Sequence, residues 1–177
     1  FNEPFYMDTD LINCINKPTY EMLKDRFPNK TNFIPHAVPQ ELYFPEPDYK
    51  RRMFRHNMLN VTDENHFVAL WIGRNARRKR PNDMLVAWSK FISKLAPNQK
   101  ATLIMHTNPR DQEGPNLIAT MQMLNIEHCV KFSTEIVGFE QMRALYSMSD
   151  VVINTSMNEG FGVPTLEAMN CERPIII

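Results

Sequence analysis

Apolar residues first come in short, isolated runs; beyond residue 66 they settle into an alternation of strand-length and helix-length segments. In the first part, "LINCI" (11–15) and "TNFIP" (31–35) read as short strands. Between them "NKPTYEMLKDRF" sets Tyr20, Leu23 and Phe27 at helical spacing behind Pro18, which suits a first helical turn. "PHAVPQELYFPEPDY" follows, with Pro35, Pro39, Pro45 and Pro47; prolines that dense oppose both helix and ladder and stiffen the chain as a linker.

In the second part, "FVALWI" (67–72), "ATLIMHT" (101–107), "CVKF" (129–132), "DVVINT" (150–155) and "PIII" (174–177) are strand-like. The segments 81–95, 115–124, 139–148 and 163–169 carry helical periodicity; in the first, Met84, Leu85, Trp88, Phe91, Ile92 and Leu95 form one stripe. Strands this apolar are covered on both faces. Alternating with helices, they predict an α/β fold with a Rossmann-like, doubly wound parallel sheet.

Composition adds exclusions. The 177 residues are 43% hydrophobic, and 20 basic residues balance 20 acidic ones, so no global field selects nucleic acid or membrane. Cys14, Cys129 and Cys171 are odd in number and show no metal-binding spacing, which favours free thiols in a reducing cytoplasm. Three N-x-S/T triplets (Asn29, Asn60, Asn154) add little weight to secretion, since such triplets are common by chance and Asn154 falls at an expected buried strand end. No apolar run reaches the ~18 residues of a membrane span. The chain opens at Phe1 without Met and stops within "RPIII", so a piece of a longer protein is expected.

Ligands of open parallel sheets bind beyond the carboxyl ends of the strands, and two such ends stand out. After "FVALWI", Gly73 allows a turn and Arg74, Arg77, Arg78, Lys79 and Arg80 follow, a concentration of cations suited to a diphosphate. A solvated basic turn before a helix is the alternative. The second is "NEGFGVPTLEAM" (158–169). There Gly160 and Gly162 permit close backbone approach, Pro164 suits a helix start, and the first-turn N–H groups form an anion site. Glu167, about one turn inside, would accept hydrogen bonds from ribose hydroxyls, and Glu159 precedes the turn. An acid stabilised by the helix dipole is the structural alternative for Glu167.

Together these segments resemble the retaining glycosyltransferases of group 1, also called family 4, whose GT-B fold has two Rossmann-like domains. "NEGFGVPTLEAMNCERPII" resembles the family's E-G-F-G-x-P-x-x-E-A-M signature, and "WIGRNARRKRPNDMLVAW" its G-R-x4-K segment. "KFSTEIVGFEQMRALYSMSDVVINTS" resembles the stretch between them, and "NFIPHAVPQELYFP" the interdomain linker. The resemblance implies that residues 1–36 are the tail of an N-terminal acceptor domain, 37–50 the linker, and 51–177 a C-terminal nucleotide-sugar domain truncated at its end.

By the same resemblance Arg74 and Lys79, after Gly73, hold the donor's diphosphate. Gly160, Phe161, Gly162 and Val163 lend backbone to phosphate or sugar, Glu167 holds the ribose, and Glu159 contacts the transferred sugar. The stretch Ser133–Ile136 lies near the base, with Ile136 against it. The implied donors are UDP-, GDP- or ADP-sugars and the acceptor a glycan, lipid or small molecule. No metal and no other cofactor is expected, nor nucleic acid as a partner. The missing N-terminal domain is the implied partner within a full-length enzyme, for which peripheral membrane association stays open, and the fragment alone is expected to be inactive.

Two departures stand out. Glu172 replaces a family glycine, so that turn is expected to be made differently. "HTNPRDQEG" replaces a glycine-rich turn, and His106 there reads as a satisfied strand-end histidine. The competing functions are a sugar-nucleotide epimerase on the same architecture and a non-catalytic module binding nucleic acid or another anion through residues 74–80.

Overall fold

The computed structural model describes residues 3–177, which form two compact units. The smaller takes the described residues through Ala37 together with Glu159–Val163; the larger takes Val38–Asn158 and Pro164–Ile177.

In the smaller unit, helix α1 (Glu3–Asp8) precedes strand β1 (Ile12–Cys14), helix α2 (Lys17–Lys24) and strand β2 (Thr31–Phe33). The two strands pair in parallel, Ile12 opposite Thr31 and Cys14 opposite Phe33. Ile12, Cys14, Leu23 and Phe27 form the core. Helix α2 starts where Asn16 Oδ1 accepts the N–H of Thr19, an N-cap that satisfies one orphan donor of the first turn.

The larger unit runs α3 (Asp48–Leu59), β3 (Phe67–Ile72), α4 (Pro81–Ile92), β4 (Ala101–His106), α5 (Leu117–Met123), β5 (Val130–Ser133), α6 (Phe139–Met148), β6 (Val151–Ile153), α7 (Val163–Asn170; its first residue lies in the smaller unit) and β7 (Ile175–Ile176). Its strands are all parallel, in the order β5-β4-β3-β6-β7. Period-2 alternation along β3 sends Ala69 and Trp71 into a core with α4 and α5, and Val68 and Leu70 into a second core that includes Leu145, Tyr146, Ala168 and Cys171. Both faces are therefore covered, as the uninterrupted apolar strands predict. The fold is the expected Rossmann-like α/β arrangement.

Helices α1 and α3 lie where the hydrophobic pattern predicts none. The only buried residue of α3 is Arg55, whose guanidinium donates to the carbonyls of Met148 and His66 at 2.8 and 3.1 Å and to Asp150 Oδ2 at 2.7 Å. Besides Arg55, only the partly buried Phe54 and Leu59 pack against the second core, which leaves a weak apolar signature. Helix α4 ends at Ile92 rather than running to Leu95, because tighter bonds take over as the N–H of Leu95 reaches the carbonyl of Ile92. Residues 38–47 have no regular structure, but they are fastened to α6: Arg143 donates to Glu46 and to the carbonyl of Leu42, both at 2.9 Å.

Glu172 corrects one expectation. Its φ of 55° is the left-handed conformation that glycine adopts freely, so the turn is kept and a non-glycine residue bears the strain.

Candidate functional site

The strand order reverses direction at β3. From there the chain moves outward to β4 and β5, then returns to place β6 on the other side. Loops leaving β3 and β6 at their carboxyl ends flank this switch point, where open α/β sheets bind ligands.

Hydrogen bonds lace these two loops together. Trp71 Nε1, buried at the end of β3, donates to Thr155 Oγ1 at 3.0 Å, and that hydroxyl donates onward to the carbonyl of Lys79 at 2.8 Å. The N–H of Met157 donates to the carbonyl of Arg78 at 2.9 Å, and Arg78 Nη1 to the carbonyl of Asn158 at 3.3 Å. Residues Arg77–Lys79 form a 3-10 turn, and Arg80, at φ 51°, leads into α4. The cationic segment is thus a fixed turn at the switch point rather than a loose basic tail. Gly73 lies where an added Cβ would stand 3.3 Å from the Trp71 ring.

Arg74 emerges from β3 with its side chain 59% exposed and is met by acids of the loop after β4. Its Nε donates to Asp111 Oδ2 at 2.9 Å, and Nη1 lies 3.0 Å from Glu113 Oε2. The guanidinium, followed by the Glu113 N–H, holds the Asp111 carboxyl below its ordinary range; Asp111 in turn raises Arg74. This loop is the "HTNPRDQEG" departure, and beyond Arg74 it also packs closely against Asn75. A Cβ on Gly114 would fall 2.0 Å from the side-chain oxygen of buried Asn75 and 2.5 Å from its carbonyl. Asn75 Nδ2 donates to the carbonyl of Pro115 at 2.9 Å. In the sequence, the acids on Arg74 and the Asn75–Gly114 contact leave no signal beyond the composition of the loop.

His106 ends β4 with Nδ1 2.9 Å from Ser133 Oγ, and burial pushes its imidazole below the ordinary value. It is the satisfied strand-end histidine the sequence suggests. Ser133 closes β5, and Ile136, three residues on, is fully exposed.

Glu167 is half-buried on α7, and its Oε2 accepts the hydroxyl of fully buried Tyr146 at 2.6 Å. Burial first, and the nearby Glu167 carboxylate second, push Tyr146 and neighbouring Tyr43 well above the ordinary phenol range. The sequence singles out neither tyrosine: Tyr43 falls in the expected linker and Tyr146 in the expected helix 139–148.

Arg74, Lys79, Ile136 and Glu167 belong to the larger unit, while Glu159, Gly160, Phe161, Gly162 and Val163 belong to the smaller. Within the smaller unit Asn16, besides capping α2, donates through Nδ2 to the carbonyl of Gly160 at 3.2 Å. The Phe161 ring meets the His36 ring edge-on with centroids 5.2 Å apart. Gly162, at φ 80°, makes the turn that its lack of a Cβ permits. Among the described residues no group of three or more His, Cys, Asp and Glu side chains is placed to hold a metal ion. None of the described helices is long and apolar enough to cross a membrane.

Comparison with known proteins fits this geometry. The chain is 29% identical over 110 residues to D-inositol 3-phosphate glycosyltransferase of Corynebacterium jeikeium, covering 60% of this chain and 26% of that protein. It is 26% identical over 172 residues to N-acetyl-alpha-D-glucosaminyl L-malate synthase of Bacillus anthracis, covering 95% and 40% respectively. The chain thus spans well under half the length of these relatives. In fold it matches Anabaena Alr3699/HepE, solved in complex with UDP-glucose, with a TM-score of 0.73 at 21% identity over 94% of this chain and 44% of that one. Residues 58–177 match the family model "Glycosyl transferases group 1". The chain belongs to the group 1 glycosyl transferases.

Proposed function

We propose that this chain supplies the donor-binding part of a retaining glycosyltransferase, holding a nucleotide sugar at the carboxyl edge of the five-stranded sheet. The observation that carries the reading is the fixed cationic turn at the switch point, Arg74 to Arg80, laced to the loop after β6. In this reading the diphosphate takes Arg74 from Asp111 and Glu113 and meets Lys79. Glycosyl transfer leaves a diphosphate with growing negative charge, and preorganised cations stabilise that charge as the sugar–phosphate bond breaks. The two cations supply it without a metal.

Glu167 accepts the ribose hydroxyls, and Ser133–Ile136 lies towards the base. The roles of Glu159 beside the transferred sugar, and of Gly160, Phe161, Gly162 and Val163 as backbone donors, rest on the family resemblance, as does retention of configuration. The UDP-glucose bound by HepE makes UDP the first nucleotide to test, before GDP and ADP. The acceptor is a glycan, lipid or small molecule, engaged by a further domain of the full enzyme. Three buried free cysteines accord with a cytoplasmic reaction.

Saturation-transfer NMR with UDP-, GDP- and ADP-sugars tests the proposal: transfer to nucleotide protons is expected from at least one, and silence from all three with folded protein refutes it. Arg74→Ala should weaken binding of nucleoside diphosphate and of inorganic diphosphate alike. Glu167→Ala should weaken the nucleoside diphosphate more; equal loss for both removes the ribose role.

A further inference from the structure

We propose that Tyr146 is a positioning residue of the donor site, its buried hydroxyl fixing the Glu167 carboxylate in the orientation that receives the ribose. The inference rests on the donor-site reading above and adds to it a residue from the neighbouring helix.

Tyr146 lies on α6 with its side chain wholly inside the second core of the larger unit. A buried phenol needs a hydrogen-bond partner, and the sheet and helices around it offer apolar side chains. Its hydroxyl instead crosses to α7 and meets Glu167 Oε2 at 2.6 Å, the short distance of an O–H donor on a charged acceptor. Tyr43 packs beside it with ring centroids 6.0 Å apart at 72°, an edge-to-face contact that restrains the Tyr146 ring, and its own hydroxyl also interacts with the Glu167 carboxylate. Tyr43 is itself braced by an edge contact with Phe139 at 6.2 Å. The support reaches back to Arg143, whose bonds to Glu46 and to the carbonyl of Leu42 fasten the segment carrying Tyr43 onto α6.

A glutamate has three side-chain torsions, and one left swinging at a pocket edge must be immobilised each time a ligand binds. Held from the core side, Glu167 meets that cost during folding instead. A carboxylate has about four acceptor positions, so the bond from Tyr146 leaves others for a vicinal diol. Immobilising one such side chain corresponds to roughly a two- to tenfold change in affinity.

The experiment compares UDP, GDP and ADP with inorganic diphosphate as ligands of the wild type, Tyr146→Phe, Glu167→Ala and the double variant. Tyr146→Phe removes one oxygen and keeps the ring packed. It is expected to weaken the best-bound nucleotide by roughly two- to tenfold while diphosphate stays within about twofold. The double variant should bind no worse than Glu167→Ala alone, because Tyr146 acts through Glu167. A Tyr146→Phe protein that binds nucleotide as the wild type does, while Glu167→Ala loses it selectively, overturns this inference and leaves the donor site standing. Equal loss of nucleotide and diphosphate in Glu167→Ala removes the ribose role and this inference with it, while no nucleotide binding by the wild type overturns the donor site as well. A measurement on the unaltered protein guards against a variant that fails to fold. The buried Tyr146 hydroxyl proton should be visible by NMR and should shift on adding nucleotide but not diphosphate. A merely structural hydroxyl stays put with both, and that result also refutes the role.

Discussion

Asp150 precedes β6 at its amino end, opposite the strand ends that face the proposed ligand, and its removal should cost several times what losing an exposed ion pair costs. Its Oδ2 accepts Arg55 Nη2 and the N–H of Val68, each at 2.7 Å, and its Oδ1 pairs with Arg51. The N–H of Asp150 returns a bond to the carbonyl of Val68 at 2.7 Å. One carboxylate therefore joins α3, β3 and β6. Asp150→Ala leaves the Arg55 guanidinium, only 5% exposed as a residue, with carbonyl partners alone. Breaking one side of a buried pair costs about 3–5 kcal/mol. The Arg51 and Asp150 side chains are each 27% exposed, so water recovers part of that, while the orphaned Val68 N–H adds to it.

A net loss of about 3 kcal/mol follows, or roughly 10 °C in Tm for a chain of this length. With a urea slope of about 2 kcal/mol per molar, the midpoint should fall by about 1.5 M. The two tryptophans, Trp71 and Trp88, both lie in the larger unit, so their fluorescence in a urea titration reads this unit's unfolding. Arg52→Ala is the control: its partner Glu64 is 3.7 Å away and both side chains are more than half exposed, so it should change stability by less than about 0.5 kcal/mol. An Asp150→Ala midpoint within about 0.3 M of the wild type, less than 1 kcal/mol by the same slope, would refute the reasoning.

Gly114→Ala forces the new methyl against the carbonyl as well as the side chain of Asn75, and should destabilise by about 3 kcal/mol; a change below about 1 kcal/mol means the loop yields freely. Glu172→Gly relieves left-handed strain and, after the added freedom of the unfolded chain, should stabilise by roughly 0.5–1 kcal/mol in the same titration; destabilisation would show that the Glu172 side chain matters more than its φ. His66 and His106 are both held below their ordinary pKa of 6.5, His66 by burial and then by the Arg55 charge, His106 by burial. The unfolded chain therefore binds their protons more readily. The stability they contribute is whole above pH 6.5 and is lost as pH falls through the lowered folded values. Urea midpoints at pH 7.5, 6.5 and 5.5 should decline in that order, less steeply in His106→Asn; an unchanged slope in that variant removes His106 from the account.

Much of this molecule follows from local rules. The strands 67–72 and 101–106 and the helix 139–148 carry periodicities that only one environment satisfies, because a continuous apolar strand needs cover on both faces. Gly73 before a run of cations and Glu167 behind Pro164 are likewise local statements, legible because glycine, proline and clustered charge constrain their own neighbourhood. What the sequence leaves open is who faces whom. Asp111 and Glu113 reach Arg74 from another strand's loop, Thr155 joins Trp71 to the Lys79 carbonyl, and Tyr146 meets Glu167 from a different helix. Helix α3 is held by Arg55 on Asp150, 95 positions away. Such partners are fixed by the order and register of parallel strands, which bring distant loops to one edge. Periodicity tells each segment which side to bury, whereas a polar contact depends on a second segment whose position only the assembled sheet sets.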